Sequence, residues 1–232
     1  MVQNQDGKKS APESEDTLGL PDPARLKEWA PQLNDEQLLA CETYTRELLR
    51  FNKTLNLISP ATAPRVDAVH ILDVVRAWAL IQPKIPAGST VFDLGTGNGL
   101  PGLLCAALSP DRNFKLIDRD QRKLEFCKHV AATLKLKNVV ITNADVADLP
   151  KGSVKFAISR GFASVAKSLL LVRPIFAVGG QFFMMKGESW SLELAEMPPR
   201  LFGVWKSEMI GQYKLPDTPS EFVVLQSTKQ TE

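Results

Sequence analysis

Histidine is nearly absent from this chain: His70 and His129 are the only two in 232 residues. With no His/Cys cluster at ligand spacing there is nothing to hold zinc, and no bound metal is expected. Cysteine is also scarce. Cys41, Cys105 and Cys127 are odd in number, widely spaced and set in helical patterns, which fits buried thiols and not a disulfide framework. No apolar run reaches the roughly 18 residues that a membrane span needs. The first residues include Lys8, Lys9, Glu13, Glu15 and Asp16 and lack the apolar stretch of a secretory signal. The expectation is a cytoplasmic protein with a disordered tail over residues 1–22. An excess of charge is missing too. The 28 basic and 26 acidic residues leave a net +2, so composition does not announce a nucleic-acid binder. Any RNA contact must come from a local basic patch or from other surfaces of an assembled particle. Internal repeats are absent.

What is present is ample apolar content, 44% hydrophobic, enough for one large domain with an appendage. Residues 23–85 read as an N-terminal helical region packed on the core, and residues 86–232 as the main domain. Asn34-Asp35-Glu36-Gln37 is a capping box, opening a helix whose Leu38, Cys41, Thr45, Leu48 and Leu49 fall at spacings of three and four. A second helix is expected over about residues 66–81. Beyond Thr90 short strands alternate with helices, which implies an α/β fold: a mostly parallel sheet with helices on both faces. The end differs, because residues 204–213 and 222–227 flank Pro216-Asp217-Thr218-Pro219 as a strand pair joined by a turn. The last strand is therefore expected to be antiparallel.

Within that pattern, Thr90-Val91-Phe92-Asp93-Leu94 is an apolar strand that breaks into Gly95-Thr96-Gly97-Asn98-Gly99-Leu100-Pro101-Gly102. Glycine accepts positive φ and has no Cβ, so a ligand can approach the backbone, and the following helix presents free N–H groups to the same place. Gly97 to Gly102 formally matches the dinucleotide fingerprint GxGxxG. Asp93 to Gly99 matches the D-x-G-x-G-x-G of S-adenosylmethionine (SAM) methyltransferases. The second register is favoured because Gly95 already follows the strand directly, and because Asp93 suits the cationic methionine end of SAM. Asp118, ending the next strand, is placed to accept hydrogen bonds from ribose hydroxyls; its other reading is the N-cap of the helix that follows.

Five segments in order carry a more specific likeness: Arg50-Phe51-Asn52-Lys53-Thr54-Leu55-Asn56-Leu57, His70-Ile71-Leu72-Asp73, Asp93 to Gly102, Ser159-Arg160-Gly161-Phe162-Ala163-Ser164, and Met185-Lys186-Gly187. Together they resemble the bacterial 16S ribosomal RNA guanine-N7 methyltransferases, also called the glucose-inhibited division protein B family. The resemblance spans roughly residues 35 to 228. It implies a class I SAM-methyltransferase (Rossmann-like) fold, with SAM as cofactor and 16S rRNA as partner. By position it implies that Gly95 and Leu100 line the cofactor site, that Val146 and Ala147 hold the adenine, and that Arg160 is the catalytic residue closing over the methionine end or the methyl. His70, Phe162 and Lys186 are the candidates for contact with substrate. His70 and Asp73, one helical turn apart, have a second reading as partners of each other.

The chemistry agrees with what is missing. Guanine N7 offers a lone pair with no proton to remove, so no general base is needed, and no cysteine stands where C5 methylation of cytosine would place its nucleophile. Three departures stand out: Val69, the region of Asp145, and Ser220-Glu221 lack basic residues common in the family. Fewer phosphate contacts point to an assembled small ribosomal particle as substrate. The alternatives are a SAM-dependent methyltransferase of another RNA or a small molecule, a non-catalytic SAM- or RNA-binding module, and, ranked below these, an NAD-dependent oxidoreductase.

Overall fold

The computed structural model describes residues 23–216 and 218–232. The tail expected over residues 1–22 lies outside the described residues. After a short helix α1 (Pro23–Trp29), the capping box opens α2 (Asp35–Leu55). Asn34 Oδ1 accepts the Gln37 N–H at 2.9 Å, and Gln37 Oε1 accepts the Asn34 N–H at 3.1 Å. The helix ends where Asn56 turns left-handed at φ 49, a conformation that asparagine tolerates better than most residues. Leu38, Cys41, Tyr44, Thr45 and Leu48 are buried, and Leu49 is half-buried.

The single helix expected over residues 66–81 is divided. A wide π turn occupies Asp67–Ile71, and the α-helix α3 runs from Leu72 to Ile81. The Leu72 N–H reaches back to the carbonyl of Asp67, five residues away, so one extra residue is accommodated in the turn. Apolar periodicity does not reveal the insertion, because Val66, Ala68, Ile71, Leu72, Val74, Val75, Ala77 and Trp78 are all buried and leave no one-sided stripe whose phase could break. Turns of this kind concentrate at functional sites.

Among the described residues, seven strands form one sheet: β1 (Thr90–Leu94), β2 (Asn113–Asp118), β3 (Val139–Asn143), β4 (Val154–Arg160), β5 (Phe176–Lys186), β6 (Trp205–Lys214) and β7 (Glu221–Lys229). The order is β3-β2-β1-β4-β5-β7-β6. Strands β1 to β5 pair in parallel, and β7 lies antiparallel between β5 and β6. The connecting helices are α4 (Gly102–Leu108), α5 (Gln121–Thr133), α6 (Val165–Val172), α7 (Trp190–Ala195) and α8 (Pro199–Phe202). The link from β3 to β4 holds only a 3-10 turn, Val146–Asp148.

Alternation of side chains sends successive residues to opposite faces of the sheet. On β5, Phe183 and Met185 join a core with Leu38, Tyr44, Trp78, Leu103, Phe114 and Phe126, whereas Phe182 and Met184 join Phe92, Leu169, Phe176 and Trp205. Residues 23–85 share the first of these cores with the sheet. Register brings the C-terminal ends of β1, β2, β4 and β5 together: Leu94 pairs with Ile117, Asp93 with Ile158, and Arg160 with Met185. The strand order reverses between β1 and β4, and the crevice beyond that point is where open α/β sheets bind ligands.

Candidate active site

The first glycine of the turn follows β1 directly. Gly95, Gly97 and Gly99 all adopt positive φ, at 69, 55 and 85, but they face different surroundings. A Cβ on Gly95 would stand 2.5 Å from Cδ2 of Phe162, and one on Gly99 would stand 2.3 Å from Cδ1 of Leu103. At Gly97 the nearest atom is the Gly95 carbonyl oxygen at 3.8 Å, so the space a side chain would fill is left clear. Asp118 Oδ2 accepts the Gly97 N–H at 2.8 Å, and its Oδ1 accepts the Asp120 N–H at 2.9 Å. The N-cap of α5 is Asp120, which removes that role from Asp118.

The loop is fastened from the N-terminal side. Tyr44 donates its hydroxyl to the Asn98 carbonyl at 2.7 Å, and the Asn98 amide donates to the Leu57 carbonyl at 3.3 Å. Asp93 is fully buried. Its Oδ2 accepts from the Thr96 hydroxyl at 2.5 Å and from the Gly102 N–H at 2.9 Å, latching the turn to the start of α4. Oδ1 has no hydrogen-bond partner among the described residues. Burial pushes the Asp93 carboxyl up to about 6 against these two bonds.

A cavity of about 330 Å³ opens beside the turn, lined by Gly95, Asp118, Asp145, Val146, Phe162 and Leu171 among others. A larger one, about 610 Å³, adjoins it through the shared Gly161 and Ala163; Val69, Asp73, Arg160, Met185, Lys186 and Phe222 are among its walls. Arg160 is one of these walls. One guanidinium nitrogen donates to Asp73 Oδ2 at 2.9 Å and to the Val69 carbonyl at 3.4 Å, and the other meets His70 Nδ1 at 2.5 Å. His70 Nε2 lies 3.0 Å from the Thr62 hydroxyl, so both ring nitrogens are engaged and the neutral ring fits. Burial, with Arg160 adjacent, lowers its pKa to about 3. Asp73 Oδ1 accepts the Tyr213 hydroxyl at 2.6 Å. Burial raises the Asp73 carboxyl above its ordinary value, while Arg160 and the Tyr213 bond oppose the rise.

Several expectations need correction. Leu100 lines neither of these two cavities: its side chain is 2% exposed and packed in the core. Gly99 faces Leu103 and Cys127, so its missing Cβ serves packing. Asp93 commits Oδ2 to the loop itself, because the helix start lies within reach, and leaves Oδ1 buried without a partner. Ala147 is exposed and gives its N–H to Asp145 Oδ1 at 2.9 Å; it does not line the smaller cavity, which Val146 does. His70, on the π turn, and Asp73, on α3, do not bond each other; both are turned to Arg160. Phe162 leans on Gly95 at the smaller cavity, because the missing Cβ makes room for its ring. Lys186 lines the larger cavity with its amine held by the Ala163 carbonyl at 2.6 Å and Glu193 Oε2 at 2.7 Å. Burial raises the Cys127 thiol well above its ordinary range and pushes Cys41 up to about 12, so neither is a nucleophile.

Sequence reasoning missed Tyr44, Tyr213, Glu193 and Phe222. A signal existed for the first two: the chain has only two tyrosines, and both donate hydroxyls into this region.

The family model described as rRNA small subunit methyltransferase G matches residues 37–206. The chain belongs to this family. A Bdellovibrio bacteriovorus relative named ribosomal RNA small subunit methyltransferase G 3 is 40% identical over 205 residues, covering 88% of this chain and 93% of that one. Ribosomal RNA small subunit methyltransferase G of Photobacterium profundum is 32% identical over 168 residues, covering 72% and 79%. A SAM-dependent methyltransferase from Aquifex aeolicus has a similar fold, with a TM-score of 0.54 at 14% identity, covering 74% of this chain and 99% of the other. As a member of the rRNA small subunit methyltransferase G family, the protein is a SAM-dependent methyltransferase. Two features fit that cofactor: the buried, unpartnered Asp93 Oδ1 suits an ammonium, and the clear space at Gly97 suits a ligand lying on the backbone. No group of His, Cys, Asp and Glu that could hold a metal occurs among the described residues, and none of their helices is long and apolar enough to cross a membrane.

Proposed function

We propose that the protein transfers the methyl group of SAM to N7 of a guanine in 16S ribosomal RNA, within an assembled or partly assembled small ribosomal particle in the cytoplasm. The observation that carries this reading is the pair of adjoining cavities, one beside the glycine turn and one walled by Arg160, Lys186 and Phe222. SAM supplies a methyl group on a sulfonium. In this reading the smaller cavity takes the adenosine: Asp118 receives the ribose hydroxyls, Val146 and Phe162 flank the base, and the backbone of Gly95 and Gly97 allows close approach. Asp93 Oδ1 meets the ammonium of the methionine end. Arg160, fixed by three partners, marks the boundary at which the methyl passes to the larger cavity.

The transfer is an in-line displacement in which the S–CH3 bond breaks as the N7–CH3 bond forms, and positive charge moves from sulfur to the guanine. No proton leaves. A base is therefore unnecessary, which agrees with a His70 whose two nitrogens are both occupied. Rate comes from holding donor and acceptor in line. Val69 contributes its backbone carbonyl to Arg160, which helps to fix the guanidinium.

The test is methyl incorporation from labelled SAM into naked 16S rRNA, short loop oligonucleotides and small-subunit particles from a strain lacking the endogenous activity, with digestion to nucleosides. Particles should be preferred and 7-methylguanosine should be the product. Equal rates on bare RNA would remove the particle requirement, and a different nucleoside would overturn the N7 assignment.

A further inference from the structure

We infer that Tyr213, on the C-terminal hairpin formed by β6 and β7, is a positioning residue for methyl transfer, acting through Asp73 to set the guanidinium of Arg160 in the wall of the larger cavity, next to the Gly161 that both cavities share. The inference rests on the role proposed above for Arg160. Tyr213 lies beyond residue 206, where the family match ends, so that match says nothing of it.

The geometry is a relay of fixed contacts. Tyr213 gives its hydroxyl to Asp73 Oδ1 at 2.6 Å, and the other carboxylate oxygen, Oδ2, takes the Arg160 N–H at 2.9 Å. A carboxylate held at one oxygen cannot rotate without breaking that bond, so the direction it offers Arg160 is set from the hairpin. The group is buried, where an unmet lone pair is costly and a hydrogen bond strong. On the far side, the π turn supplies the Val69 carbonyl and His70 Nδ1. Arg160 is thus clamped between two elements distant in sequence. Tyr213 is itself held by stacking on Phe222, with centroids 5.9 Å apart and planes at 19°, and Phe222 is a wall of the larger cavity. The same hairpin is joined to the helical segment by two further bonds, from Arg76 to the Lys214 carbonyl and from Arg65 to the Pro216 carbonyl at 3.0 Å. Those bonds attach the hairpin without touching Arg160, and so supply the control.

The full-length chain is assayed by single-turnover methyl transfer at saturating SAM and saturating particles, comparing wild type with Tyr213→Phe, Asp73→Asn, their combination, Arg76→Ala and Arg160→Ala. Tyr213→Phe should slow the transfer by between about twofold and tenfold, the rate equivalent of one hydrogen bond, with SAM affinity unchanged. The combined variant should be no slower than Asp73→Asn alone, and Arg76→Ala should keep the wild-type rate even if it unfolds earlier in urea. Orientation is read apart from catalysis by the Arg160 Nε–H resonance, assigned by its loss in Arg160→Lys, which should move in Tyr213→Phe and stay in Arg76→Ala. A wild-type rate in Tyr213→Phe alongside a slow Arg160→Ala overturns this inference alone. Equal slowing by Tyr213→Phe and Arg76→Ala overturns it too, by making the hairpin contact merely structural. A full rate in Arg160→Ala removes the role of Arg160 and this inference with it.

Discussion

In the proposed reading, Asp93 couples the cofactor site to pH through one oxygen. Its carboxyl, pushed up to about 6 by burial, is protonated in acid, and an ammonium arriving at Oδ1 favours the ionised form. SAM affinity should therefore rise with pH through about 6 and then level off, with a proton released on binding below that point. Calorimetry in buffers of differing ionisation heat reads the proton, and Asp93→Asn should abolish the dependence. The glycines separate in the same way. Gly97→Ala should cost about 1 kcal/mol of stability for a left-handed alanine but lower SAM affinity by more than about tenfold by filling ligand space. Gly95→Ala drives a methyl to within 2.5 Å of the Phe162 ring, so Phe162→Ala in the same chain should restore part of the lost stability. Urea denaturation of the single and double variants measures it.

At the scale of elements, α2 has two separable duties. Asn34→Ala removes its cap and should cost about 1 kcal/mol with SAM affinity unchanged. Tyr44→Phe removes the bond to the Asn98 carbonyl, should cost about 0.5–1.5 kcal/mol, and should also weaken SAM binding because the glycine loop loses an anchor. Denaturant midpoints with calorimetric SAM titrations distinguish the two. The contrast also shows what a sequence displays. The cap, the strand that carries Asp93, the turn beginning at Gly95 and the parallel alternation are local patterns, and each was legible. The antiparallel β7 was legible from the turn at Pro216. The clamp on Arg160 was not: its bonds to Asp73 and from Tyr213 to Asp73 join residues 87 and 140 positions apart, and no spacing rule reaches that far. The π turn escaped because residues 66–81 are buried nearly all round, so no one-sided stripe shows the extra residue as a shift of phase. The burial of the Leu100 side chain was not legible, because a residue within a glycine-rich loop can still point inward to the core.

For the whole molecule, the half-buried His70 and the buried Asp93 oppose each other in acid. His70, lowered from 6.5 to about 3, contributes stability that is present above 6.5 and lost as pH falls, because the unfolded chain binds a proton that the fold refuses. Asp93, raised from 3.8 to about 6, contributes in the other sense: its stabilisation is full below 3.8 and is lost as pH rises through about 6. Between about 4 and 6 the two slopes offset. Relative to wild type, Asp93→Asn should lose stability more steeply on acidification in that window, and His70→Gln should gain. Urea titrations across the range check both, and parallel curves would contradict them.

The two cavities also draw on different lengths of chain. The smaller is lined by residues from Gly95 to Leu171, whereas the larger runs from Val69 to Phe222 on β7. Because a nascent chain emerges N-terminus first, every lining residue of the smaller cavity has been made once Leu171 is added, while the larger one waits for Phe222. A truncated product of interrupted translation that ends before β7 therefore carries the parts for one pocket and lacks a wall of the other, so it has nowhere complete to seat the partner that the finished protein would modify.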